Sequence, residues 1–272
     1  MNVKRLARFI LAAGLLTAAS AHAGMFAVTD AGVLYEVESE SGPVTTVGNT
    51  GVGGLQALTL ATDGTLYTTQ GSNLYTLNKS TGAASLIGGF GGGVVGVEGI
   101  AINAGGTLYA ADGGTLYTID TGTGTATFAG NTGIGWDDLA FAQADITFSG
   151  GTISAGTLLG LDATVGIYTI DTSTFVSTLV ESVPVAVADE AFTTDGGGGV
   201  LGNNYDRESG GNSGFYEIDM SGGSADSFII AGPGNVTGMA LEDDGPPLPL
   251  PPVALLMGLG LAAMGRRLLN HG

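Results

Sequence analysis

Five short segments of this chain place a side chain with an oxygen donor two residues ahead of a small or apolar one. They are Gln56 before Leu58, Glu98 before Ile100, Asp137 before Leu139, Asp189 before Ala191 and Thr237 before Met239. Four of the five can coordinate a cation or hold hydroxyl groups strongly. Glu98, Asp137 and Asp189 stand on successive repeats, so a hard, oxygen-seeking ion such as Ca2+, completed by Gln56 and water, is the metal chemistry expected of them. Trp136, the single tryptophan, immediately precedes Asp137 and offers an indole face for stacking on a sugar. Arg207, in the run Asn203-Asn204-Tyr205-Asp206-Arg207-Glu208, is a further candidate ligand contact. The competing reading is a rim of strand ends that are polar because they face water, with Arg207 paired locally to Asp206 or Glu208 for little gain.

Much other chemistry is excluded. The chain has no cysteine, and its two histidines, His22 and His271, lie in the terminal segments. A Ser-His-Asp triad, a Cys-His pair, a disulfide and a His-ligated zinc or iron site are therefore unavailable to residues 24–245. The glycine runs Gly88 to Gly93 (interrupted by Phe90) and Gly196 to Gly199 lack a following helix pattern and a Lys-Ser/Thr pair, so they turn the backbone and do not cradle phosphate. All 25 acidic residues lie between Gly24 and Gly245, against only Lys79 and Arg207 there. A surface so acidic repels nucleic acid.

The elements that must position the candidate residues are strands. In the stretch Gly106 to Phe128, two Thr-Leu-Tyr segments flank Asp112-Gly113-Gly114, a hairpin pattern, and a third extended segment follows the turn Asp120 to Gly124. The unit recurs, marked by Tyr35, Tyr75, Tyr117, Tyr168 and Tyr216, at spacings of 40, 42, 51 and 48 residues. Periods of this length with four strands each are those of β-propeller blades. The mature chain opens on three strands, runs through four full units and ends on a lone strand at Val236 to Leu241. The expected fold is all-β: a five-bladed propeller of four-stranded antiparallel blades, closed by pairing Val236 to Leu241 with the strand at Phe26 to Thr29. In such a ring the five candidate segments line the central channel, with the candidate side chains at one mouth and the loop of Arg207 on the same face. The insertions Asp145 to Thr157 and Asn203 to Gly214 read as loops. The span from Met25 to Asp244 resembles the five-bladed propellers of bacterial secreted proteins.

The first 23 residues have a basic start, the apolar run Phe9 to Leu16 and the small-x-small site Ala21-His22-Ala23, the pattern of a secretory signal cut by signal peptidase after Ala23. Residues 246–272 open with a proline run that includes Pro249, Pro251 and Pro252, continue with the apolar stretch Val253 to Met264 and reach Arg266-Arg267. This tail resembles the PEP-CTERM sorting signal of exported bacterial proteins, with Pro-Leu-Pro in place of Pro-Glu-Pro and five residues beyond the arginines. The resemblance implies transient anchoring in the cytoplasmic membrane, recognition by an exosortase-type processing enzyme, and delivery to the cell surface or extracellular matrix. The function expected is that of a non-catalytic binding or scaffold protein, with extracellular polysaccharide the expected partner. The alternative is a carboxylate-dependent glycoside hydrolase, or a calcium-dependent hydrolase, at the channel mouth.

Overall fold

The computed structural model describes residues 24–37, 43–182, 191–204, 214–220, 224–231 and 235–242. The described residues form strands joined by turns and loops. The signal segment with Ala21 and Ala23, the tail with Pro249, Pro251, Pro252, Arg266 and Arg267, and the candidates Asp189 and Arg207 lie outside them.

The first sheet joins the two ends of the described chain. It contains β1 (Met25–Thr29), β2 (Val33–Val37), β3 (Val44–Asn49) and, beside β1, the last strand β22 (Val236–Leu241). The closing pair runs antiparallel with Phe26 opposite Ala240 and Ala27 opposite Met239. The expected closure is therefore present, and it removes two sheet edges that would otherwise be open to pairing with another chain. The second sheet is β4 (Leu58–Leu60), β5 (Leu66–Gln70), β6 (Asn73–Leu77) and β7 (Ala84–Gly89), and the third is β8 (Val97–Ile102), β9 (Leu108–Asp112), β10 (Thr115–Ile119) and β11 (Ala126–Asn131). The fourth joins β12 (Asp138–Phe141) to β15 (Leu158–Asp162), β16 (Gly166–Ile170) and β17 (Ser177–Glu181). The fifth is β18 (Phe192–Thr194), β19 (Val200–Asn204), β20 (Gly214–Asp219) and β21 (Ser224–Ala231). All pairings are antiparallel, and the repeated tyrosines fall on the third strand of each blade in order of sequence.

The insertion at Asp145 to Thr157, expected as a loop, contains a hairpin instead, formed by β13 (Ile146–Phe148) and β14 (Gly151–Ile153). Its cause is burial. Ile146 and Ile153 are enclosed in one apolar cluster with Met220, the turn residue that follows the Gly214–Asp219 strand, and Ser149 N–H donates to the Met220 carbonyl.

A propeller's sheets are held by the apolar layers between them. One cluster spans each neighbouring pair: Leu34 with Leu58 between the first and second sheets, Leu74 with Val97 between the second and third, and Leu116 with Leu158 between the third and fourth. Leu161 meets Phe192 between the fourth and fifth, and Phe215 meets Met239 between the fifth and first. The innermost strands adjoin in the same cyclic order, β4 to β8, β12, β18, β22 and back to β4. Side chains satisfy backbone groups between these strands, as a buried backbone requires. Thr59 Oγ1 accepts from Ile102 N–H (3.3 Å), and Thr194 Oγ1 accepts from Gln143 N–H (3.1 Å) and donates to the Phe141 carbonyl (2.7 Å). Thr237 Oγ1 donates to the Leu55 carbonyl (2.7 Å), and Asn203, from β19, donates to the Val236 carbonyl (2.8 Å).

Candidate functional site

Sheet register fixes which candidate residues are equivalent. Leu58, Ile100, Leu139 and Met239 stand opposite Thr68, Ala110, Gly160 and Ala27, each in turn opposite the marker tyrosine of its blade. In the fifth sheet the residue in that position is Phe192, opposite Gly202 and then Tyr216. The expected alignment of the candidate column on Ala191 is thus displaced by one residue, to Phe192, and the pair Asp189-Glu190 precedes it in sequence. Both acidic residues lie outside the described residues.

Four members of the column do come together. Gln56, Glu98, Asp137 and Thr237 line a recess of about 570 Å3 at one mouth of the channel, with Gln70 and Asn235 also in its wall. Gln56 is half-buried and its Oε1 accepts from Gly71 N–H at 3.2 Å. Asp137 is half-buried and its Oδ2 accepts from Ala163 N–H at 2.7 Å. Glu98 sits at a break in the β8–β9 register, where Val97 and Gly99 pair with adjacent residues of β9 and Glu98 is left over as a bulge aimed at the mouth. Its carboxyl is raised above the ordinary range, first by partial desolvation and then by the negative charges of Asp137 and Asp112. Thr237 is buried, with its hydroxyl committed to Leu55. Among the described residues no three carboxylates gather closely enough to hold a metal ion, so the expected Ca2+ set of Glu98, Asp137 and Asp189 is represented here by its first two members.

Trp136 does not face the mouth. It is 1 % exposed, donates its indole N–H to Thr132 Oγ1 at 2.9 Å and meets Tyr168 edge-on at 5.4 Å between centroids. Gly160 makes room for it, because a Cβ there would come within 2.6 Å of the indole. The expectation of a sugar-stacking platform is corrected: this tryptophan is part of the layer between the third and fourth sheets. Its own column shows why, since Leu55, Val97 and Val236 occupy the equivalent place and are all fully buried.

Sequence reasoning missed Asp138. The position after the polar column is small elsewhere, with Ala57, Gly99, Ala191 and Gly238, and this pattern is the signal that could have singled it out. Asp138 is completely buried. Its Oδ1 accepts from Leu139 N–H (2.8 Å), its Oδ2 accepts from Phe192 N–H of the next blade (3.0 Å), and the Ile100 amide of the preceding blade also stabilises its charge. These donors favour the anion, but burial outweighs them and Asp137 adds repulsion, so the carboxyl is held well above its usual range.

At the opposite end of the channel lies a second recess of about 370 Å3, whose wall includes Leu60, Ala61, Ile102, Phe141 and Leu241. One mouth is polar and acidic; the other is largely apolar, with Thr59, Thr62, Gln143 and Thr193 the polar residues of its wall.

No family model and no curated protein matches the sequence. Solved structures are similar in fold. A protein of unknown function from Bacteroides thetaiotaomicron superposes with a TM-score of 0.52 at 14% identity, over 84% of this chain and 66% of its own length. A protein of unknown function from Bacteroides caccae gives 0.45 at 16% identity, over 79% of this chain and 84% of its own. Regucalcin from Agrobacterium tumefaciens, a calcium-binding protein, gives 0.47 at 14% identity, over 79% and 72%. At such identities the likeness concerns the fold alone, and of the three only the Bacteroides thetaiotaomicron protein superposes with a TM-score above 0.5.

Proposed function

We propose that this protein is an exported, non-catalytic five-bladed propeller that binds neutral extracellular polysaccharide through the polar mouth of its channel, at the cell surface or in the extracellular matrix. The five-blade count draws support from the five interface clusters and the cyclic order of the inner strands. The observation that carries the binding reading is the composition of the mouth. Gln56, Gln70, Glu98, Asp137 and Asn235 present amide and carboxylate groups, with no basic side chain among the described residues of the wall, and backbone amides hold Gln56 and Asp137 in place. Fixed acceptors of this kind suit sugar hydroxyls, because orientation entropy is already spent before the ligand arrives. The acidic chain disfavours anionic polymers, hence the choice of a neutral one. Ca2+ shared by Glu98 and Asp137 would relieve the repulsion between them and give sugar hydroxyls an additional ligand.

A second reading has one specific support. Glu98 is pushed toward its protonated form beside Asp137, which accepts an amide hydrogen bond, the unequal pair a glycoside hydrolase uses. Release of new reducing ends from a bound polysaccharide separates the readings: the binder releases none.

The address rests on the terminal segments. Export by the signal ending at Ala23 and processing of residues 246–272 by an exosortase-type enzyme leave a secreted chain without Arg266 and Arg267. Intact-mass measurement of the exported protein tests this, and Arg266→Ala with Arg267→Ala is expected to leave unprocessed chain in the membrane fraction. Full-length protein ending at Gly272 in the medium would overturn the sorting reading.

A further inference from the structure

The apolar mouth of the channel has a feature the polar mouth lacks: the chain leaves the fold at its rim. Leu241 forms part of the recess wall. Glu242 is held beside it, its N–H donating to the Gly24 carbonyl at 2.9 Å and its carboxylate paired with Lys79, the only Lys or Arg among the described residues. Residues 243–272 therefore start at the edge of this largely apolar recess. Apolar side chains form most of its wall, with Thr59, Thr62, Gln143 and Thr193 among them, and the Thr59 hydroxyl already accepts from Ile102 N–H.

Six residues after Glu242 begins the run Leu248-Pro249-Leu250, within Pro246-Pro247-Leu248-Pro249-Leu250-Pro251-Pro252. Five of these seven residues are prolines and carry no backbone N–H, so the segment can enter an apolar recess with only the two leucine amides to satisfy. Proline also prepays the ordering entropy, and an extended proline-rich segment on an apolar, partly aromatic surface is a recurrent binding mode. The recess, at about 370 Å3, has room for a few aliphatic side chains and not for the whole apolar run Val253 to Met264. Attachment through so short a connection gives an effective concentration on the order of millimolar, so weak intrinsic affinity suffices.

We propose that Leu248 and Leu250 of this chain's own proline-rich segment dock in the apolar mouth of the channel, covering it and withholding the segment from other partners. The inference does not depend on the sorting reading; it concerns the full chain whether or not the tail is later removed.

The natural absence of cysteine makes the test clean. In the full chain, Leu250→Cys is combined either with Ala61→Cys, half-buried in the recess wall, or with Asp63→Cys, exposed two residues away and outside it. A docked segment forms the disulfide with position 61 at least about tenfold faster under mild oxidation. Adding Leu248→Asp abolishes that preference. Equal or faster crosslinking to the exposed position 63 overturns the proposal, as does a preference that survives Leu248→Asp. Should Ala61→Cys prevent folding, Leu248→Cys with Ala155→Cys, another wall position, is compared with the same Asp63→Cys control and read the same way.

Discussion

The Asp138 carboxylate accepts the Phe192 backbone N–H at 3.0 Å across the junction between the fourth and fifth sheets, and both residues are sealed from solvent. One buried acidic side chain thus ties the innermost strands of neighbouring blades together. Removing it by Asp138→Ala strands the Phe192 and Leu139 amides without that acceptor. We expect a loss of about 2–3 kcal/mol in urea denaturation.

Asp138 also sets a pH dependence whose sign follows from linkage. Its carboxyl, like that of Glu98, is raised in the folded state, so folding takes up protons relative to the unfolded chain. The associated stability is fully present below the unfolded pKa near 3.8 and 4.5 and is lost as pH rises through the folded values. Asp63, Asp120 and Asp171 act oppositely, because turn hydrogen bonds lower them and their stabilisation disappears as pH falls through their folded values. Between about pH 5 and pH 7 those three are ionised in both states, and among the described groups with a resolved shift the raised ones set the slope. Denaturation midpoints in this window are expected to fall with rising pH, and the fall is expected to be shallower in Asp138→Asn.

Trp136 reports on packing and not on ligand. Trp136→Ala is expected to cost about 3–5 kcal/mol, the range for emptying a large aromatic site in a core. As the only tryptophan, it is expected to emit at short wavelength, resist quenching by acrylamide and stay unchanged when sugar is added. A sugar-dependent change in its emission would place ligand closer to the indole than the fold allows.

What could be read from the sequence followed the strength of the local pattern. The tyrosine repeat located the third strands, and the unpaired strand at Val236 to Leu241 announced closure, because a propeller's leftover strand has one sheet to complete. The hairpin of Ile146–Phe148 and Gly151–Ile153 was not legible: three-residue strands carry too little alternation, and what fixes them is contact with Met220, distant in sequence. At the candidate site, the gathering of Gln56, Glu98, Asp137 and Thr237 was legible from their spacing. The one-residue offset from Ala191 to Phe192 was not, because the sequence leaves the register undecided until Phe192 is seen opposite Gly202. Trp136 was misread through its neighbour Asp137, when its equivalents Leu55, Val97 and Val236 already marked an inward position.

Spacing around the channel depends on two glycines. A Cβ on Gly238 would lie 2.5 Å from Leu58 N, and one on Gly99 would lie 2.8 Å from the Asp138 backbone. Neither obstacle can rotate away, since both are main chain. Gly238→Ala and Gly99→Ala are each expected to cost about 1–3 kcal/mol by forcing inner strands apart. Gly113→Ala, at a turn with open space around it, separates the strain of a positive φ from crowding.

If Glu98 and Asp137 share Ca2+, the ion is expected to raise the melting temperature more than Mg2+ does at equal ionic strength, and Glu98→Gln with Asp137→Asn is expected to remove most of the difference. Superimposable melting curves in Ca2+ and chelator would remove the ion from the account.

Calorimetric titration of the exported protein with a neutral glucan oligosaccharide tests the central claim most directly, run beside Gln56→Ala combined with Asp137→Ala and followed by an assay for new reducing ends. Saturable binding that weakens at least about tenfold in the double variant, roughly 1.4 kcal/mol, with no reducing ends released, is the result expected of a binder acting through the polar mouth. Binding of equal strength in the variant, or sugar chains cut by the unaltered protein, would contradict it.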